Sequence, residues 1–257
     1  MTTTSLVVQY LDDLLDTAGV PDYPNAVNGL ELANSGSVTR IAAAVDFSLR
    51  TVQAAAINGA SMLLVHHGMF WGGVQSITGT AFERLRILIS KDIAVYASHL
   101  PLDRHALYGN NALLAAELGL EPSAEFARFR TIYIGVSGKS DVTTAELAQR
   151  ADEFARRHGG SVRTTTIAPD RRTTSWAICT GAGASTDTLA EARERGIDTL
   201  IVGEGPHHSA VDADESGIAV IYAGHYATET LGVCALAAHV SDRFGVPWTF
   251  IEAPTGL

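Results

Sequence analysis

With 257 residues, 46% of them hydrophobic and 18% charged, the chain has the composition of a folded globular protein, neither disordered nor collagen-like. Its 28 acidic residues against 18 Lys and Arg give a formal net charge of −10. That balance argues against a general nucleic-acid or anionic-membrane binder, because phosphate binding draws on accumulated positive charge. A chain of this length can bury roughly 70% of its unfolded surface, as one large domain or two small ones. The two cysteines, Cys179 and Cys234, sit in apolar contexts. They exclude a disulfide scaffold and fit a reduced, cytoplasmic setting. The first residues lack a basic segment and carry Asp12, Asp13 and Asp16, unlike a signal peptide. No run approaches the ~20 apolar residues of a membrane span.

The periodicity predicts a helix over Thr4–Ala18, with Leu6, Tyr10, Leu14 and Leu15 on one face and Gly19 at the position after its end. An irregular stretch through Asn28-Gly29-Leu30 leads to a strand at Ile41–Val45. A helix follows at Ser48–Asn58, then a strand at Met62–Val65 that runs into His66-His67-Gly68. Next come a helix at Ala81–Ser90, a strand at Ile93–Ala97 and a helix at Asn110–Leu118. This alternation predicts a mostly parallel sheet covered by helices. Glu121–Arg130, with Pro122 after a helix, reads as a boundary, so that 1–125 and 126–257 form two halves. The second half reads as a strand at Thr131–Val136, a helix at Thr144–His158 and strands at Val162–Ile167 and Ser175–Thr180. It continues with a helix at Thr186–Arg195, a strand at Thr199–Val202, a short helix near His207–Glu215 and a strand at Ala219–Ala223. A helix at Ala227–Phe244 and a strand at Trp248–Ile251 close the chain.

The halves echo one another. Tyr96-Ala97-Ser98-His99 is followed by Asp103, and Tyr222-Ala223-Gly224-His225 by Glu229, each carboxylate four residues after its histidine. Gly59 to Val65 likewise parallels Gly196 to Val202. The fold class expected is therefore α/β: two similar mixed α/β halves with mostly parallel sheets, and a metal site at strand carboxyl ends between them.

His66 and His67 stand at the carboxyl end of a buried strand, where open α/β sheets bind ligands. Two adjacent imidazoles there can serve two ions, or be a pair of hydrogen-bonded loop histidines. His225 and Glu229, four apart, share a face if helical, although Glu also suits a first helical turn. His99 and Asp103 have the same spacing, but Pro101 predicts a tight loop between them, with Asp103 a cap or turn residue. Taken together, four imidazoles and two carboxylates suit Zn, Fe, Mn, Co or Ni better than Ca or Mg. Six donors exceed the four of a structural zinc site and match two ions with a bridging carboxylate. Glu204 and His208, in Gly203-Glu204-Gly205-Pro206-His207-His208, follow another strand, and with His99 are candidates to move a proton. Gly181-Ala-Gly183-Ala-Ser185 could cradle an anion but lacks a dinucleotide or P-loop signature.

Leu64-Val65-His66-His67-Gly68, His99-x-Pro-Leu-Asp103, Gly203-Glu204 and Gly224-His225-Tyr-x-Thr-Glu229 occur in that order. With Asn28-Gly29-Leu30 and Cys179-Thr-Gly-Ala-Gly183, the pattern resembles the Nif-three-like dinuclear metal-centre proteins, also called GTP cyclohydrolase I type 2 homologues. Asn25-Ala-Val-Asn28 departs from the aromatic and Asp-Asn pair more usual there. The resemblance implies a metal shell of His66, His67, Asp103, His225 and Glu229, with Glu229 bridging and His99 a sixth ligand or a supporting partner. It also implies two divalent ions per subunit, a homohexameric ring, and hydrolysis of a nucleotide or purine ring. A metal-binding scaffold without turnover is the competing expectation, since the sequence offers no nucleophile or complete substrate motif. A nucleic-acid-binding ring fits the net charge poorly. The physiological small-molecule substrate is not encoded in any motif.

Overall fold

The computed structural model describes residues 2–257. Eleven strands form two sheets among these residues: β1 Gly29–Leu32, β2 Ile41–Asp46, β3 Met62–His67, β4 Ala94–Ala97, β5 Ala124–Phe129, β6 Ile132–Thr143, β7 Arg163–Thr164, β8 Arg172–Cys179, β9 Thr199–Val202, β10 Ala219–Tyr222 and β11 Trp248–Phe250. Packing divides the chain into one unit of Met1–Leu102 with Gly232–Ala253, and a second of Asp103–Leu231 with Pro254–Leu257. The division falls at Leu102, not at the expected 125/126, and the C-terminal helix and strand join the first unit.

The first unit's sheet has the order β1-β4-β3-β2-β11, with β4, β3, β2 and β11 parallel and β1 antiparallel at the edge. Alternate residues explain the burial. Ala42, Ala44, Leu63, Val65, Val95 and Ala97 line one face and pack with Val52, Ala55 and Leu88 from flanking helices. Ile41, Ala43, Met62, Leu64 and Tyr96 are equally buried, so both faces are covered, as parallel strands require. The helix Leu49–Ile57 starts with Ser48 and Thr51 in a reciprocal capping box. The first helix stops at Leu15, short of the expected Ala18, because Asp16 takes the left-handed conformation. The Asn28-Gly29-Leu30 segment, expected to be irregular, opens β1; a four-residue edge strand is too short to show a period, and its pairing to β4 creates it.

The second unit's sheet runs β5-β6-β8-β9-β10-β7. Its centre, β8-β9-β10, is parallel, and the outer strands are antiparallel. Trp176, Ile178, Ile201 and Ile221 point to one face, against Leu147 and Phe154 of the helix Thr144–Arg157. Ala177, Cys179, Leu200, Val202 and Val220 point to the other, against Leu189 and Ala192 of the helix Thr186–Glu194. The boundary segment Glu121–Arg130 in fact carries β5, which pairs with β6. Its half-polar Ala-Glu-Phe-Ala-Arg-Phe pattern suits an exposed edge. No helix among the described residues is long and apolar enough to cross a membrane.

Candidate metal centre

Three adjacent parallel strands end at the site residues of the first unit. β3 delivers His66 and His67, and the chain leaving β4 delivers His99. The β2–β3 register pairs Asp46 with His67, so the Asp46 carboxylate lies beside the His67 ring. His67 Nδ1 lies 2.8 Å from Asp46 Oδ1, His99 Nδ1 2.9 Å from Asp22 Oδ1, and His66 Nδ1 2.9 Å from the Ser98 carbonyl oxygen. Asp22 is held in turn: its Oδ2 accepts from Asn28 Nδ2 at 2.8 Å and the Leu100 amide at 2.9 Å, while Asn28 Oδ1 accepts from the His99 amide at 2.7 Å. Burial alone would raise the Asp22 carboxyl, but these donors together lower it below its ordinary value. The Asn28 of the early motif is thus a clamp on His99. One ligand atom from each of His66, His67 and His99 lies within 4.8 Å of the others, and all three residues are buried.

Trp71 packs on His67 and His99, with ring centroids 4.8 and 4.4 Å away. The turn that brings it there is fixed by Glu31 on β1, which accepts the Met69 amide hydrogen at 2.7 Å. Glycine at position 68 leaves room for that carboxylate: a Cβ there would stand 2.3 Å from Glu31 Oε1 and push the Glu31 side chain aside. Burial pushes the Glu31 carboxyl up to about 7.

The second unit repeats the frame with different chemistry. The loop after β10 delivers His225, whose Nδ1 lies 2.8 Å from Glu204 Oε1, after β9, and whose Nε2 lies 3.2 Å from Glu229 Oε2. Burial opposes protonation of His225, but Glu229 and Glu204 outweigh it and raise the imidazole to about 9. The expected helix from Ala227 is broken: one turn covers His225–Thr228, Glu229 closes it, and Thr230–Phe244 follows. Glycines make the room. Gly181 has φ +61°, and a Cβ there would lie 2.1 Å from Glu229 Oε1. A Cβ on Gly203 would lie 2.5 Å from the Gly181 carbonyl oxygen and 2.8 Å from His225 Cα. The Gly-rich turn therefore admits Glu229, which no spacing rule had shown.

Asp103 closes a four-residue helix, Leu100–Asp103, and not the expected loop. Pro101 lies in the first turn, where its missing N–H removes no helical hydrogen bond, and the Leu102 amide bonds to the His99 carbonyl at 2.9 Å. Asp103 Oδ1 accepts from Asn110 Nδ2 at 2.8 Å and faces Thr180 Oγ1 at 3.5 Å. Buried Asn111 bonds to the Asp103 carbonyl, the Ile134 carbonyl and the Thr180 amide. Asp103, Glu229 and His225 are thereby gathered around the turn Thr180-Gly181. His207 and His208 lie exposed in the first turn of the helix His207–Glu215.

The donor set fits a divalent transition ion. In all four histidines the Nδ1 side is engaged by an oxygen acceptor, which places a proton there; His66, His67 and His99 are thereby left with Nε2 as the lone-pair donor, while His225, held protonated between Glu204 and Glu229, would release its Nε2 proton on binding an ion. Metal-binding imidazoles carry this support almost without exception. Sequence reasoning missed Asp22, Asp46 and Trp71. A carboxylate 21 or 77 residues from its histidine leaves no local signal.

A curated relative from Deinococcus radiodurans, named GTP cyclohydrolase 1 type 2 homolog, is 42% identical over 98% of this chain and 93% of its own length. The solved structure of the protein ybgI, described as of unknown function, superposes with a TM-score of 0.88 at 32% identity, covering 100% of both chains. A crystal structure from Thermus thermophilus gives 0.85 at 33% identity, again covering 100% of both. The profile of Duf34/NIF3 (NGG1p interacting factor 3) matches residues 2–255, and the chain belongs to that family.

Proposed function

We propose that this protein is a divalent-metal-dependent hydrolase holding two ions through His66, His67, Asp103, His225 and Glu229, with His99 as a further donor. The observation that carries this reading is the common orientation of four imidazoles, each with Nδ1 tied to an oxygen acceptor. A structural histidine needs no such support repeated four times, nor two more buried carboxylates nearby. Zn, Fe, Mn, Co and Ni all suit nitrogen and oxygen donors of this kind.

Bound ions of this type lower the pKa of a coordinated water and polarise the attacked group. The chain's own residues do the rest. Asp46, Asp22, Glu204 and the Ser98 carbonyl hold the imidazoles in one tautomer and orientation. Trp71 and the buried strand ends keep His66, His67 and His99 dry, which strengthens the charge interactions there. Glu204, whose side chain is 41% exposed, and the exposed His208 are the groups offered for carrying a proton to and from solvent. The names of the curated relatives favour a purine or nucleotide ring as the substrate class. We further propose assembly as a hexamer and a cytoplasmic setting, the latter in keeping with the free thiols of Cys179 and Cys234.

The test is elemental analysis together with a hydrolase screen on wild type, His66→Ala and Glu229→Ala. Wild type is expected to retain about two divalent ions per chain and to hydrolyse a member of the screen, with both properties lost in the variants. Metal retention without turnover would favour a scaffold. Hydrolysis unchanged in a metal-free protein carrying both His66→Ala and Glu229→Ala would overturn the proposal.

A further inference from the structure

Within the first unit lies a cavity of about 340 Å³ that His67 lines at one side and that otherwise runs over residues outside the proposed metal set. Phe47, Phe70, Trp71 and Leu85 give it an apolar, largely aromatic wall. Arg84, from the helix Gly79–Ser90, supplies a cation. Its guanidinium carbon sits 4.9 Å from the Phe47 ring centroid, and Nη1 donates to the Phe47 carbonyl at 3.4 Å. Its Nε–H is buried with no acceptor. Asp46 also lines the cavity, but its Oδ1 is taken up by His67 Nδ1.

A partly buried cation whose Nε–H has no acceptor is costly to keep unless a ligand acceptor meets it, and an anion does so best. An aromatic wall recognises flat rings by stacking and area burial. At 340 Å³ the cavity is at the lower end of small-molecule sites, which suits one or two fused rings. We propose that this cavity is the recognition pocket for the substrate, and that it takes a flat aromatic or heteroaromatic ring bearing one anionic group, carboxylate or phosphate. The ring lies against Trp71 and Phe47, the anion meets Arg84, and the far end of the ligand is presented to His67. The assignment of the reacting end rests on the metal-hydrolase reading; the pocket chemistry does not.

Calorimetric titration of the full-length protein, as purified and after chelation, tests it with three probes: 2-naphthoate, naphthylphosphonate (which resists hydrolysis) and uncharged 2-naphthalenemethanol. Both anions are expected to bind in either metal state, with the alcohol about tenfold weaker or more. Whether carboxylate or phosphonate binds tighter identifies the natural anion. Arg84→Gln should weaken the anions about tenfold or more, Arg84→Lys less, and Trp71→Leu should weaken all three probes about three- to tenfold. Should the Arg84 variants melt early, Trp71→Leu and the charged-against-neutral comparison on wild type decide the matter. Absence of binding, equal affinity for the alcohol, or equal affinity in a folded Arg84→Gln would overturn the pocket. Binding that vanishes on chelation yet ignores Arg84 would place the probe on the metal, overturning the pocket while sparing the hydrolase reading. Arg84-dependent binding in a protein that never holds metal would do the reverse.

Discussion

The two units share one frame and fill it with opposite chemistry. In each, three adjacent parallel strands end in polar loops, and the third is followed by a histidine and a single helical turn. In the first unit the middle strand ends His66-His67, and with His99 it presents three imidazoles. In the second the middle strand ends Gly203-Glu204, and the unit presents one imidazole among Asp103, Glu204 and Glu229. What separates them is space. The first unit accommodates bulky rings at its strand ends, with Trp71 packed over them. The second must use Gly181 and Gly203, because the Glu229 carboxylate and the His225 backbone occupy the room that side chains would need. The first unit's set is rich in imidazole nitrogen and the second's in carboxylate oxygen.

The largest effect should come from removing a donor from either set. His66→Ala or Glu229→Ala should lower zinc affinity by more than about 100-fold in a competition titration, a larger loss than for any supporting residue. If one set proved dispensable, the parallel between the units would be structural only. Next come the supports. Asp46→Asn and Asp22→Asn in the first unit, and Glu204→Gln in the second, should each cost about 10–100-fold in metal affinity while circular dichroism stays unchanged. An effect confined to one unit would show that only its histidines need orienting.

Gly181→Ala tests the spatial contrast. A side chain in a left-handed conformation that also meets the Glu229 carboxylate should cost ~1–3 kcal/mol, read as a lower melting temperature. The effect should persist in metal-free protein.

The smallest effect concerns Glu31. Its folded pKa, about 7, lies above the ordinary carboxyl value of 4.5. Between those limits the folded chain binds a proton that the unfolded chain has released, so stability must fall as pH rises through that window and level off above it. Glu31→Gln keeps an acceptor for the Met69 amide and should remove that part of the slope. Parallel melting curves for the two proteins from about pH 5 to 8 would show it.

Much of this was legible in the chain. Helices and buried strands announced themselves by apolar period, although the first helix buries Val7, Leu11 and Leu15 and leaves Leu6 exposed, not the face expected from Leu6, Tyr10 and Leu14; the histidines stand after strands, as read. The paired His-x-x-x-carboxylate motifs exposed the duplication of the frame. Edge strands β1 and β5 were not legible, because four to six half-polar residues carry no period and gain their form from a neighbour. The turn at Pro101 was misjudged, since proline is disruptive only where an amide hydrogen is needed. Asp22, Asp46 and Arg84 act through tertiary proximity, and nothing local distinguishes them from other surface charges.

Anomalous-difference diffraction from crystals of the metal-loaded protein tests the central claim most directly. Two peaks per chain are predicted, ligated by the Nε2 atoms of His66, His67 and His225 and by carboxylate oxygens of Asp103 and Glu229. A single peak, ligation through any Nδ1, or ions bound elsewhere would contradict it.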